Sequence, residues 1–427
     1  MQTARVILDL PRPTPSGTSV QLADILRTHG QSYIQNHPVD GQQRKVIRDI
    51  LNCRTPALGG HLESCENRCG YQRISFHSCR NRHCPRCQSL QKVRWLSQRS
   101  EKLLPTRYFH VVLTLPHELN LLVLQNPRLL YNLFFEAASQ ALLQLAQGWP
   151  RLQAQPGFTA ILHTWNQDLN SHVHLHIVVT AGGLNRDNTR WIPTKNNFLV
   201  PVRALAKLLR GKFLDGLQAA FGQGHLLFSP MSQHLQKPPA FKRLIRNLRR
   251  IRWYAYSKPP FDHPQHVFSY LGHYTHRTAI SNQRLLAFDG QVVTFRARDN
   301  TRPGTYRLLR LPAPEFIRRF LLHVLPDGFV RIRHFGLLAP RNTPSKLEKA
   351  RSLLLASEHS TLDVSPAHPN NTPAVHLLTW QQLLRKLTGI DVTVCPRCGA
   401  NLLRLPLPEN LTLSALLSLS SPILNSS

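Results

Sequence analysis

The bunching of its cysteines constrains this chain more than any other feature. Six of the eight cysteines lie between Cys53 and Cys87, and the other two form the pair Cys395 and Cys398. The stretch from 53 to 87 is rich in Gly, Asn, Arg and His and has little apolar periodicity, so it cannot bury a core of its own. Segments of this kind fold around metal. We therefore expect zinc, and not disulfides, in a reducing compartment.

Two cysteine pairs in this stretch stand at the separation that a tetrahedral zinc ion needs. Cys65 and Cys69 are followed by Cys84 and Cys87, and we expect these four thiolates to hold zinc. The pair at 395 and 398 supplies half a site, which histidines or another chain could complete. Four further potential ligands leave open a second zinc ion or a different choice of four, and these are Cys53, His61, Cys79 and His83.

The balance of charge favours a polyanionic partner. The 427 residues include 53 Lys and Arg against 22 Asp and Glu, a formal net charge of +31, which exceeds what solubility requires. The cations are spread over the whole chain, and no apolar run is long enough to cross a bilayer. We expect nucleic acid as the partner and no membrane. Within the cysteine-rich stretch, Arg80, Arg82 and Arg86 are expected to contact DNA phosphates, and Arg277 is a further expected DNA contact.

The amino-terminal residues MQTARVILDLPRPTPSG do not read as a secretory signal. They lack a basic segment, an apolar run and a small-residue cleavage site. The cytoplasm is the expected compartment.

Apolar, β-branched and aromatic runs predict three strands, over Tyr108–Pro116, Phe158–Trp165 and His172–Thr180. Apolar residues at helical spacing predict a helix over Leu121–Ala146. The order strand, helix, strand, strand indicates an α+β sheet domain. Further helices are expected within 18–52 and over 88–103, 202–221, 241–251, 267–276 and 379–388.

Three histidines alternate with aliphatic residues in the third of these strands. On a strand, His172, His174 and His176 share one face, and imidazoles at i and i+2 can share a metal ion. His163, on the preceding predicted strand, could supply a third ligand across an antiparallel pair. A single histidine is more often a hydrogen-bonded core residue, but three on one face favour a metal site.

Two tyrosines stand four residues apart in the sequence Tyr270-Leu-Gly-His-Tyr274. On a helix they lie on one face, one turn apart. Such a pair is usually core packing. The neighbouring His273 and Arg277 make an unusually polar and basic setting for that role.

Together with the paired tyrosines, His174-Leu-His176 resembles the metal site of the HUH endonucleases. The chain as a whole resembles the two-tyrosine transposases of rolling-circle insertion sequences, the insertion sequence 91 type. The motifs that carry the resemblance are, in order, CRTPALGGH, SCRNRHCPRC, LTLPHEL, HTW, HVHLH, YLGHYTHRTAISN and FIRRFLLHVLPDGFVRIRHFGLL. The chain departs from the family at Val173, where proline is usual, and at Cys65 and Cys69, which are one residue further apart.

The resemblance implies an α+β fold in which an antiparallel-sheet HUH endonuclease palm with helices follows a small zinc-binding domain. It implies that Tyr270 and Tyr274 are nucleophiles that nick single-stranded DNA, form a 5′-phosphotyrosine and transfer the strand. His174 and His176, with His163 as the third candidate, would bind Mg²⁺ or Mn²⁺. The partners would be single-stranded transposon ends and target DNA in a bacterial nucleoid. Host replication or a helicase would separate the strands, because the chain has no helicase-type phosphate loop.

These features divide the chain into five parts. The expected parts are a helical and zinc-binding DNA-binding domain over 18–103, a catalytic domain over 104–340, a linker over 341–378, a zinc-knuckle-like segment over 379–405 and a low-complexity tail over 406–427.

Two other functions are compatible with parts of the sequence. One is a zinc-dependent DNA-binding protein that recognises transposon ends or regulates transcription without cleaving. The other is a zinc hydrolase, which is disfavoured because the chain has no HExxH motif and Asp168 is the one acidic residue close to the histidines.

Overall fold

The computed structural model describes residues 20–87, 102–261, 279–299, 302, 304–359, 382, 385 and 391–407. Tyr270, Tyr274 and Arg277 therefore lie outside the described residues, as do the predicted helix over 267–276 and nearly all of those over 88–103 and 379–388. The helices are α1 Leu22–Asn36, α2 Gly41–Asn52, α3 Asn120–Gln125, α4 Pro127–Gly148, α5 Val202–Gly222, α6 Pro238–Arg250, α7 Ala313–Leu321 and α8 Glu348–His359. The strands are β1 Gly60–Cys65, β2 Gln72–Phe76, β3 Tyr108–Thr114, β4 Gly157–Trp165, β5 Ser171–Thr180, β6 Gly182–Leu184, β7 Trp191–Pro193, β8 Tyr254–Ser257, β9 Leu285–Phe288, β10 Val292–Arg298, β11 Tyr306–Pro312, β12 Ile332–Gly336 and β13 Leu402–Pro406.

The largest sheet has five antiparallel strands in the order β12-β4-β5-β3-β8. It contains all three strands that the sequence predicts, and the α+β fold class is confirmed. One face of β5 carries Val173, Leu175, Ile177 and Val179, which pack into a core with α4, α5 and α6. Because side chains alternate along a strand, the histidines of β5 face the other way.

Helices α3 and α4 are separated by a break, although the sequence predicts a single helix over this region. Helix α3 ends at Gln125 and α4 begins at Pro127, which lacks a backbone N–H and disfavours helical backbone in the preceding residue. At the break, the side chain of Asn126 forms two hydrogen bonds to the backbone of Leu227. Its amide nitrogen donates to the carbonyl of Leu227, and its amide oxygen accepts from the N–H of Leu227.

The amino-terminal helices pack on residues from the far half of the chain. Helices α1 and α2, which the sequence predicts, share a core with α7 and with the sheet β11-β10-β9. The side chain of Gln43 donates to the carbonyl of Leu321, and the N–H of Leu22 donates to the side chain of Asn282. Residues 279–321 therefore support the helices that precede the cysteine-rich stretch.

Part of the predicted linker is a packed helix. Residues 341–378 were expected to form a linker, yet α8 occupies Glu348–His359. Leu347, Ala350 and Leu354 follow one another at three- and four-residue steps, and they pack against Leu104 and Leu337. Three apolar residues at helical spacing are enough to bury one helix face within a segment that is polar by composition.

The carboxy-terminal strand joins the amino-terminal end of the chain. Strand β13 pairs antiparallel with β1, which also pairs with β2, so the sheet order is β13-β1-β2. Among the described residues, no helix has the length and apolar content to span a bilayer.

Candidate active site and metal sites

Three histidines converge on the open face of the large sheet. His163 of β4 pairs directly opposite His174 of β5, and His176 lies two residues further along on the same face. One ring nitrogen from each of the three lies within 4.8 Å of the others. His163 and His176 are buried, whereas His174 is partly exposed and leaves the group open to solvent on its side. The structure thus brings together the three side chains that the sequence assigns to a catalytic metal.

Hydrogen bonding fixes the tautomer of His174. Its Nδ1 lies 2.9 Å from the carbonyl oxygen of His172, which can only accept, so Nδ1 carries the proton and donates it. Its Nε2 then presents a lone pair to the group, 3.1 Å from Nε2 of His176. Burial lowers the pKa of His174 to about 4, and the neighbouring His172 adds to the shift. At neutral pH the ring is therefore neutral, as a metal ligand must be.

A fourth histidine, which the sequence pattern did not assign to the site, lies beside this group. His110 lies on β3, and its Nε2 is 3.0 Å from Nδ1 of His176. Burial lowers the pKa of His110 to about 3, with Lys258 and His174 adding to the shift. Because the neutral His110 ring can accept at Nε2, His176 can donate from Nδ1 and turn its own Nε2 lone pair toward His174. The sequence does contain a signal for His110, because it is the one histidine in the mainly apolar strand predicted over Tyr108–Pro116.

The geometry of this group fits a divalent cation. Ligands at right angles and about 2.1 Å from a metal stand about 3.0 Å apart, close to the separation of the two Nε2 atoms. Two nitrogen lone pairs at that distance repel each other unless a proton or a cation lies between them. No described carboxylate belongs to the group. Asp168, the acid nearest in sequence, forms an ion pair with Arg307 instead.

The cysteines form two groups of four in place of the predicted one. Cys53, Cys79, Cys84 and Cys87 lie together, with the sulfur of Cys87 at 3.4 Å from that of Cys53 and 3.6 Å from that of Cys79. Ligands at about 2.3 Å in a tetrahedron around zinc are about 3.8 Å apart, so the group fits zinc. Hydrogen bonds from the Cys79 and Cys84 thiols lower the pKa of Cys87, and a bound cation would favour the thiolate in the same way.

The second group joins residues from the two ends of the chain. Cys65 and Cys69 lie with Cys395 and Cys398, at 3.3 Å between the sulfurs of 65 and 398 and 3.6 Å between those of 69 and 395. The structure therefore divides the predicted ligand set, in which Cys65 and Cys69 were grouped with Cys84 and Cys87. The reason is topological, because β13 runs alongside β1 and carries the carboxy-terminal pair to it.

Comparison with known proteins gives a consistent result. Residues 157–346 match the family described as "Putative transposase", and residues 25–115 match the one described as "Transposase zinc-binding domain". The chain is 43% identical to "Putative transposase y4qJ" of Sinorhizobium fredii over 379 residues, which cover 88% of this chain and 92% of the relative. It is 26% identical to "Transposase for insertion sequence element IS801" of Pseudomonas savastanoi pv. phaseolicola over 382 residues, which cover 87% and 85%.

The chain belongs to the transposases of the insertion sequence 91 family. The predicted resemblance is thereby confirmed. No solved structure matches the transposase. As a transposase it is an enzyme of DNA cleavage and strand transfer, its partner is DNA, and its amino-terminal part contains a zinc-binding domain.

The remaining candidate residues of the transposase lie around the cysteines. His61 and His83 belong to neither group, because His61 contacts Glu63 and the Nε2 of His83 accepts from the N–H of Leu325. Arg82 donates to the carbonyl of Phe329, and Arg86 donates to that of Cys53, so both guanidinium groups have partners inside the protein. Arg80 is exposed. Contact of these arginines with DNA stays a prediction.

Proposed function

We propose that this transposase nicks single-stranded DNA at transposon ends with a tyrosine, forms a 5′-phosphotyrosine and transfers the strand in rolling-circle transposition. The observation that carries the proposal is the group His163, His174 and His176, three imidazoles gathered on an open sheet face of a DNA-cleaving enzyme. Tyr270 and Tyr274 are the proposed nucleophiles. The enzyme would act on chromosomal DNA in the nucleoid, after host replication or a helicase has exposed a single strand.

The three histidines are the proposed ligands of Mg²⁺ or Mn²⁺. Such an ion, when bound, polarises the scissile phosphate and stabilises the charge that develops on its oxygens. His174 holds its Nε2 lone pair in place through its bond to the carbonyl of His172, and His110 does the same for His176. The chain therefore orients two of the three nitrogens before any substrate arrives.

Each nick exchanges one ester for another. The tyrosine oxygen attacks phosphorus, the bond from phosphorus to the 3′ oxygen breaks, and the proton lost by the tyrosine balances the proton gained by the 3′-hydroxyl. Since the link to tyrosine conserves the bond energy, the hydroxyl of another strand can reverse the reaction without ATP. Tyrosine ionises near pH 10, so the nucleophile needs help from a cation. Besides the metal, Lys258 is a candidate for this cation. It is exposed and lies close enough to His110 to lower the pKa of that ring.

The described residues that flank the tyrosines are anchored on the body of the protein. The N–H of Phe261 donates to the carbonyl of Tyr108, two residues before His110, and Ala279 is buried. Tyr270 follows Phe261 by nine residues. Phe261 forms a bridge with β3, and β5 is the next strand, so the histidines of β5 lie about two strand spacings, roughly 10 Å, across the sheet. Nine residues at about 3.3 Å each could reach up to about 30 Å, which is more than this distance.

An exposed basic helix supports the DNA-binding part of the proposal. Helix α6 buries Phe241, Ile245 and Leu248, and its other sides expose Lys242, Arg243, Arg246, Arg249 and Arg250. A cavity of about 500 Å³ beside it is lined by His234 and by the side chains of Arg243, Arg246 and Arg250. No acidic residue lines this cavity, which suits it to phosphate groups.

Two exposed tyrosines on β8 support a single-stranded substrate. Tyr254 and Tyr256 pair with Thr114 and Val112 of β3, so they share the sheet face that carries the histidines. They are 62% and 55% exposed, unusually high for aromatic rings. Unpaired bases stack on such rings, whereas bases inside a duplex cannot. Trp253 does not take part, because it is buried and donates to the carbonyl of Leu248.

The test is a covalent-adduct assay. Purified transposase is incubated with labelled single strands that carry the ends of its element, with no added cation, Mg²⁺ or Mn²⁺, at a constant zinc level. We expect a cation-dependent adduct on denaturing gels, lost in the double variant Tyr270→Phe/Tyr274→Phe and in His174→Ala. Tyr306→Phe is the matched control, because it removes the hydroxyl of an exposed tyrosine on β11, outside the sheet that carries the histidines, and should leave the adduct unchanged.

The single tyrosine variants show which residue acts first. If the transposase binds every end sequence and no adduct forms with either cation, the proposal is wrong, and the chain is a zinc-dependent DNA-binding protein that does not cleave.

A further inference from the structure

We propose that Cys65, Cys69, Cys395 and Cys398 hold a second structural zinc ion, which fastens the carboxy-terminal segment to the zinc-binding domain. The carboxy-terminal segment is defined here as residues 391–407. This ion would be separate from the one in the group of Cys53, Cys79, Cys84 and Cys87.

The four sulfurs have the arrangement of a closed structural zinc site. They lie within 4.8 Å of one another and come from two pairs, one from each end of the chain. Four thiolates in a compact tetrahedron select zinc over hard cations such as Mg²⁺. The separation of 3.3 Å between the sulfurs of Cys65 and Cys398 is far too long for a disulfide, whose bond is about 2.05 Å.

Tight turns direct backbone N–H groups at these sulfurs. The sulfur of Cys65 accepts from the N–H groups of Cys69 and Asn67, and that of Cys398 accepts from the N–H of Ala400. In the carboxy-terminal pair, the N–H of Gly399 donates to the carbonyl of Cys395, and Gly399 has a φ of +77°, which glycine adopts at little cost.

Contacts around the sulfurs hold the two ends in register. Arg397 donates from Nη1 to the carbonyl of Cys69 at 2.9 Å, and the N–H of Glu66 donates to the carbonyl of Asn401 at 3.0 Å. Strand β13 then pairs with β1 over five residues, from Cys65 opposite Leu402 to His61 opposite Pro406. The cysteine pairs therefore sit at the end of a defined strand ladder.

A buried carboxylate gives an independent reason for this pairing. Glu63 is only 2% exposed, and its cross-strand neighbours are Arg73 of β2 and Arg404 of β13. Both arginines form ion pairs with it. Because a buried carboxylate is costly without partners, the carboxy-terminal segment contributes by supplying Arg404 as a second cation beside Glu63.

Zinc content tests the site directly. The double variant Cys395→Ser/Cys398→Ser should contain one zinc ion per chain fewer than full-length transposase purified with zinc, a difference that does not depend on an ion at the histidine group. Cys84→Ser is the matched control, because it should remove the other cysteine-bound ion and keep this one. Arg404→Gln should keep both ions, since it weakens the strand ladder without touching a ligand.

Equal zinc content in the native protein and the Cys395→Ser/Cys398→Ser variant would overturn the proposal. If that variant does not fold, titration of the native protein with Co²⁺ replaces it. Two equivalents with the absorption of tetrahedral thiolate sites support the second site, and saturation at one equivalent overturns it. Neither readout depends on DNA nicking.

Attachment is tested with a site-specific protease sequence inserted between Pro369 and Asn370. After cleavage of the purified full-length protein, the carboxy-terminal fragment should co-elute with the remainder on gel filtration and separate when a chelator is added. Separation while zinc is present, or co-elution after zinc has been removed, contradicts the fastening role.

Discussion

At the scale of single residues, the candidate active site depends on how each histidine is oriented. His163 could be predicted from the sequence, because pairing of two adjacent strands places it opposite His174. The contact between His110 and His176 could not, since it runs diagonally between strands that lie far apart in the sequence. A sequence pattern gives the face of a strand, but the neighbours on that face depend on strand order and register.

Loss of the His110 ring should weaken metal binding without abolishing the chemistry. In His110→Ala, Nδ1 of His176 loses the acceptor that His110 provides, which weakens the hold on its Nε2 lone pair, and partners of this kind are worth about 10- to 100-fold in metal affinity. We expect the Mn²⁺ concentration for half-maximal adduct formation to rise by that factor. His110→Gln, which keeps an acceptor, should show a smaller rise.

His117→Ala serves as the control, because its side chain is exposed and lies outside the histidine group. A His110→Ala variant that needs no more Mn²⁺ than the native transposase would refute a positioning role for His110.

At the scale of elements, local pattern predicted most of the described helices but only three of the thirteen described strands, and the errors have identifiable causes. Helices α5 and α6 agree with the sequence because each carries a long apolar stripe. The sequence predicts a linker where α8 lies, because polar neighbours mask its one short apolar face. The division of the cysteines was beyond local reasoning, since the partners of Cys65 and Cys69 lie more than 300 positions further along the chain.

Helix α6 gives a prediction about the strength and salt dependence of DNA binding. Replacing Arg243, Arg246 and Arg250 together by Gln should weaken binding to any single strand, because these side chains would bind phosphates and not bases. The slope of log K against log salt should become shallower by about 0.7 for each phosphate that the variant no longer neutralises. Fluorescence anisotropy at several NaCl concentrations measures both quantities.

Arg27→Gln is the control for the α6 variants, since Arg27 is exposed on α1 and already pairs with Asp24. An unchanged slope in the triple variant would mean that DNA does not follow α6.

At the scale of the whole molecule, several buried histidines make the fold sensitive to acid. Burial lowers the pKa of His323 to about 4, and its ring lies between the hydroxyl of Thr164 and the carbonyl of Leu169, which the neutral form can satisfy. The folded pKa lies below the unfolded value of about 6.5. The stabilisation is therefore complete above pH 6.5 and is lost as the pH falls toward 4.

We expect His323→Gln to reduce this pH dependence. At pH 5 the unfolded chain gains a proton at position 323 that the folded chain does not, which costs the native protein about 2 kcal/mol relative to pH 7. Glutamine can donate to Leu169 and accept from Thr164 but does not titrate. Urea midpoints at pH 7 and pH 5 should therefore move closer together in the variant, and an unchanged difference would contradict the assignment.

The pairing of β13 with β1 also bears on how the chain is made. Because translation runs from the amino terminus, β1 emerges early and its neighbour β13 emerges more than 300 residues later. Until then β1 keeps an open edge, and Glu63 lacks Arg404. A chain that stops early, as in a truncated copy of the gene, never covers that edge. The sheet β13-β1-β2 can therefore form only in a transposase that has been translated through β13.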